Sequence, residues 1–161
     1  METQATKTAS VAAYAGAFLF AVLVVLFNTI PQHIAVPVVA VAFHVVLFPV
    51  VAALPSADWA RAAGYGWLVL DIAANIMYIN KVDENITTAL RYGAHIPAVI
   101  WIITASLKGN RSMQVTGILQ AAIMGSYSFI APWVPMWFLY PAMVLLIIWL
   151  FLAGRYLSKL S

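Results

Sequence analysis

Six stretches of about twenty mostly apolar residues fill this chain, and only short breaks separate them. A run of that length is what an α-helix needs to cross ~30 Å of hydrocarbon. The runs cover about residues 11–30, 34–54, 60–80, 87–107, 113–131 and 134–156. Between them lie Pro31-Gln32-His33, Pro55-Ser56-Ala57-Asp58, Lys81-Val82-Asp83-Glu84-Asn85, Lys108-Gly109-Asn110-Arg111 and Pro132-Trp133. Connections this short make consecutive helices antiparallel neighbours. The sequence therefore predicts an all-α fold, a polytopic membrane protein built as a compact six-helix transmembrane bundle, with residues 1–161 forming a single transmembrane domain.

Composition supports that class and removes others. Apolar residues make up 65% of the chain and charged residues 8%, against ~25% charged in soluble domains. Disorder needs the opposite balance. With no cysteine, a disulfide scaffold, a thiol nucleophile and a thiolate metal site are all excluded. Gly64, Gly66, Asp71 and Asn75 dilute the third run. Without it, five spans would put the termini on opposite sides, which the charge distribution opposes.

Lysine and arginine in short loops mark the cytoplasmic side. Six spans place Lys7, Arg61, Lys108, Arg111, Arg155 and Lys159 on the side of the N-terminus, and only Lys81 in a loop on the other. Both termini are expected in the cytoplasm. The net charge of +3 then reflects topology, and no basic cluster is dense enough for nucleic acid. The first run exceeds a signal-peptide core and lacks a small-x-small exit, so it reads as a retained helix. Trp59, Tyr78, Trp133, Trp137 and Tyr156 fall near span ends, as interfacial aromatics do. Asn85-Ile86-Thr87 matches a glycosylation sequon but lies too close to the membrane to carry weight. Spans 1–3 and 4–6 share no motif that would mark an inverted repeat, and no phosphate-binding loop is present.

Ionisable groups inside spans are costly and face the bundle interior. They are His44 in span 2, Asp71 in span 3, and Arg91 and His95 in span 4. Asp71 and Asn75 are four residues apart and share a helix face, as do Arg91 and His95. In an antiparallel hairpin, residues at equal depth have a constant summed number. Asp71 with His95 and Asn75 with Arg91 satisfy the same sum, so each pair is expected at matching depth. His44 falls near the level of Asp71. The expected substrate-binding layer is thus His44, Asp71, Asn75, Arg91 and His95. The alternative is that an Asp71–His95 or Asp71–Arg91 pair locks the hairpin, as polar contacts between membrane helices commonly do.

Pro97 removes a donor from its helix and disturbs the carbonyl of Gly93, which would suit a hydrated cavity if it faced one. Gln120, Ser126, Tyr127, Ser128 and Tyr140 offer neutral polar groups along spans 5 and 6. Ala9, Ala13, Ala17 and Ala21 recur every four residues on span 1 beside Gly16. Such a stripe admits close helix approach, within the chain, in a homo-oligomer or against a membrane partner.

Three functions compete. The first is binding or transport of a small solute or a proton through the polar layer, with Asp71 and His95 at mid-depth and Arg91 and Asn75 above them. No cofactor is needed for it, and the lipid bilayer is the one certain partner. The second is an intramembrane enzyme or redox protein, with haem on His44 and His95, or a divalent metal on His44, Asp71 and His95. The third is a non-catalytic subunit of a larger membrane complex.

Overall fold

A computed structural model describes residues 2–160, with side chains from residue 4 onward. Among the described residues the chain is helical throughout and contains no strand. The elements are α1 (Glu2–Thr29), α2 (Ala35–Val46), α3 (Phe48–Ala53), α4 (Asp58–Ile79), α5 (Glu84–Leu107), α6 (Arg111–Ile130), a 3₁₀ turn (Met136–Leu139) and α7 (Tyr140–Ser158).

Five helical segments are long and apolar enough to cross a membrane: Gln4–Thr29, Ala35–Ala53, Asp58–Ile79, Glu84–Leu107 and Met136–Ser158. The diluted third span is among them. The expected fifth span, 113–131, is the one that falls short. It forms α6, which has the length, but Gln114, Thr116, Gln120, Ser126 and Ser128 lower its apolarity.

Local chemistry sets most boundaries. Asp83 caps α5 by accepting from the backbone N–H of Asn85 at 2.9 Å and of Ile86 at 3.4 Å. Asn110 caps α6 through the N–H of Met113 at 3.0 Å. Both are the short polar acceptors that a helix start favours. The second expected span is not one helix. Pro49 cannot donate to the carbonyl four residues earlier, and the helix breaks at Leu47, with His44 left in the last turn of α2. Pro97 has no such effect, since α5 runs through it unbroken.

Each element packs against its neighbours in the chain, and α7 closes on α1, giving a ring in the order α1, α2–α3, α4, α5, α6, α7. Two hydrogen bonds fix the closure. Ser10 Oγ donates to the Gly154 carbonyl at 2.8 Å, and Tyr140 OH donates to Asn28 Oδ1 at 2.8 Å. The start of α1 thus meets the end of α7, so the two run antiparallel and both chain ends lie at one end of the ring.

That end is packed solid. Leu47, Leu54, Leu68, Trp101, Ile102, Met113, Trp149, Leu150 and Leu157 are fully buried there. Trp101 and Trp149 meet edge to face, with centroids 5.4 Å apart, and Trp149 Nε1–H donates to Ser106 Oγ at 2.7 Å. Glycine makes room for both indoles. A Cβ on Gly64 would come within 2.8 Å of Trp101, and one on Gly117 would collide with Ser106 Oγ and approach Trp149 to 2.6 Å. The alanine stripe of α1 is spent inside the chain, for Ala9, Ala13 and Ala17 are buried in the core. The exterior is apolar instead: Phe18, Val25, Val45, Val69, Ile96, Val144 and Phe151 are exposed.

Candidate functional site

The other end of the ring encloses a cavity of about 480 Å³. Its rim includes Gln32 and Glu84, both exposed in loops or at a helix start, so it opens at that end. Its deepest lining residues are Phe20, His44, Trp67, His95, Gln120 and Leu146, one from each wall. Counting inward from the rim ends of their helices, these depths run from nine residues (Phe20 to Thr29) to twelve (Trp67 to Ile79) on α1, α2, α4, α5 and α6. At ~1.5 Å per residue that is about 14–18 Å. The cavity is a cup, closed below by the packed tryptophan layer.

All five expected site residues line this cup, but their pairing differs from expectation. Asp71 is joined to α2 and not to His95 or Arg91. Its Oδ2 lies 3.3 Å from His44 Nε2 and accepts from Trp67 Nε1–H at 2.6 Å. Trp67 lies one turn below Asp71 on the same face of α4. That four-residue spacing is visible in the sequence, yet its role was not foreseen.

His44 Nδ1 lies 2.7 Å from the Ala40 carbonyl. A carbonyl only accepts, so Nδ1 carries the proton. The contact of Nε2 with Asp71 is then favourable only if one further proton resides on either atom. Counted with that proton, the His44–Asp71 pair is neutral. Neutrality matters here because Asp71 is only 4% exposed, and an isolated charge at such a site is expensive.

The matched depth of Asn75 and Arg91 is realised as a hydrogen bond, Arg91 Nη2 to Asn75 Oδ1 at 3.1 Å. Asn75 Nδ2 donates to the Asp71 carbonyl at 2.7 Å. Its amide is thereby fixed by a partner that can only accept and another that can only donate. The ion pairs among the described residues are His44–Asp71 and Arg61–Asp58. Arg91 therefore lines the cup with no carboxylate in ion-pair contact.

His95 turns to α6. Its Nδ1 is 3.0 Å from Ser128 Oγ, and Ser128 donates its own proton to the Met124 carbonyl at 3.1 Å. Ser128 must then accept from His95, which leaves the opposite ring nitrogen as the basic one. Tyr127 and Gln120 join the lining from the same helix, and Tyr92 meets Tyr127 edge to face at 5.8 Å. Ser126 is exposed outside, and Tyr140 is engaged with Asn28. Gly93, too, is exposed on the outside and does not line the cup. The carbonyl that Pro97 disturbs is therefore no part of the site.

Gln120, one of the neutral polar groups that the sequence offers on span 5, proves distinctive. It is 1% exposed, its Nε2 reaches only Met124 Sδ at 3.4 Å, and its Oε1 has no partner. Whichever way round the amide is placed, one of its two ends lacks a full hydrogen bond, a costly condition for a buried group. Among the described residues no three His, Cys, Asp or Glu side chains converge as a metal cluster would. The histidines of α2 and α5 lean to different neighbours.

Comparison with known protein families, with curated proteins and with solved structures finds no match to this chain.

Proposed function

We propose that this chain is a six-span membrane protein with both termini in the cytoplasm, whose cup opens on the opposite side and binds a small solute. The observation that carries the reading is the cup itself, where His44, Asp71, Arg91 and His95 from three different helices line one cavity. Cavities of ~300–1,000 Å³ with mostly apolar walls and a few convergent polar groups are the usual form of small-molecule sites.

The sixth span rests on α6. Its buried face carries Met113, Gly117, Gln120, Ala121, Met124 and Tyr127, while Val115, Ile118, Leu119 and Phe129 are exposed. A largely apolar outward face, with Gln120 and Tyr127 turned inward, suits a lipid-facing helix. At twenty residues it spans ~30 Å. The packed floor favours binding over passage in this conformation. Carriage across the membrane would require that floor to open.

Thermal unfolding in lipid nanodiscs against a panel of small metabolites tests the reading. At least one compound is expected to raise the unfolding temperature of the wild type and to lose that effect in Ala142→Trp, which fills the cup from α7. If the stabilising compounds act equally on Ala142→Trp, or if none stabilises the wild type, the cup is not a binding site.

A further inference from the structure

We infer that the cup is built for an organic monoanion: a carboxylate held at Arg91, with an apolar body lying against the surrounding walls. The inference rests on the solute-binding reading and narrows it to one chemical class. Charge balance is the first argument. Asp71, the one carboxylate deep in the cup, is matched by His44, with the Nδ1 proton of His44 fixed on the Ala40 carbonyl. Glu84 stands at the rim in solvent, where water and salt screen it. Arg91 is left as the uncompensated charge of the interior, and it is permanent because guanidinium does not lose its proton in proteins.

Geometry is the second argument. Arg91 presents five N–H donors, and one of its terminal nitrogens is bound by Asn75. That bond holds the guanidinium in the cup without neutralising it. A planar fork so held matches a carboxylate, which can take two parallel hydrogen bonds from it. Deeper in the same cavity, the unpartnered Gln120 oxygen is itself fully buried and offers a ligand no contact. Away from Arg91 the walls are largely apolar and aromatic, including Phe20, Phe43, Leu139 and Tyr127. The ligand is accordingly amphipathic, charged near Arg91 and apolar along most of its length.

Isothermal titration calorimetry reads binding directly. The full chain in nanodiscs is titrated with 4-phenylbutyrate, 4-phenylbutanol and 4-phenylbutylamine, which share a body and differ in charge. The carboxylate is expected to bind most tightly. Arg91→Gln should weaken it about ten- to hundredfold, the scale of one charged hydrogen-bonded contact, while leaving the alcohol within about twofold of its wild-type affinity. Arg91→Lys, which keeps the charge and loses the fork, should fall between.

Equal binding of carboxylate and alcohol, or tighter binding of the amine, overturns the anion assignment and leaves a solute-binding cup standing. No binding by any of the three overturns both. Should Arg91→Gln unfold, the wild-type preference and the Arg91→Lys value still decide. Oleate supplied in the nanodisc lipid separates the sources. Displacement of phenylbutyrate assigns a lipid-derived acid, and persistence assigns a water-borne one. Both outcomes support the carboxylate.

Discussion

His44 and Asp71 are the residues whose coexistence is hardest to explain by packing alone. Two polar groups removed from water gain little over apolar side chains of similar size, whereas removing one partner strands the other. A single substitution therefore costs more than a double one. His44→Leu should lower stability by about 3–5 kcal/mol, because Asp71 loses its counter-group and keeps only the Trp67 donor. The double variant His44→Leu with Asp71→Leu should recover most of that loss. Denaturant unfolding in detergent measures both. A double variant as unstable as the single one would show that the pair contributes net stability and would weaken the case for retention by function.

At the scale of elements, the tryptophan layer makes the sharpest demand on sequence. Gly117 in α6 faces Ser106 and Trp149, and the space a Cβ would need is already taken. Gly117→Ala must push the indole away and loosen its 2.7 Å bond to Ser106. Overpacking of this kind costs about 1–3 kcal/mol. Gly66 in α4 has nothing within reach of a Cβ, so Gly66→Ala should be neutral or stabilising by up to about 1 kcal/mol through helix propensity. Melting the two variants side by side checks the contrast. Equal destabilisation would mean that the α6–α7 contact is looser than its geometry.

The hairpin α4–α5 was the most legible element pair. Its turn is short, the direction of both helices follows, and residue numbers alone then place Asn75 opposite Arg91. What numbering gives is depth, and it does not give rotation about the helix axis. That is why Asp71 and His95, matched in depth, turn to different partners. The helix breaks at Leu47, within one turn of His44, and a proline in sequence does not say whether it will break a helix or, like Pro97, ride inside one. Gln120 was visible only as one polar residue among several on span 5. The burial of its oxygen without a partner is a property of the whole ring.

The whole molecule can be read as two halves stacked along the ring axis: a packed base beside the chain ends and an open cup at the far end. If α6 crosses the membrane with the others, the four connections used below must alternate in side. Because the chain has no cysteine, each introduced thiol is the one thiol present. Ala57, Asn85, Ser112 and Pro132 are exposed and outside the cup. A membrane-impermeant maleimide applied to intact cells should label Asn85→Cys and Pro132→Cys, at the cup end. Ala57→Cys and Ser112→Cys, at the base, should react only after permeabilisation. Labelling of Ser112→Cys and Pro132→Cys from the same side would show that α6 does not cross. The full pattern reversed would place the cup's mouth in the cytoplasm, against the lysines and arginines gathered at the base. Under the proposed topology, that charge asymmetry would orient the protein through its loops, and the cup would face outward because those loops occupy the other end of the ring.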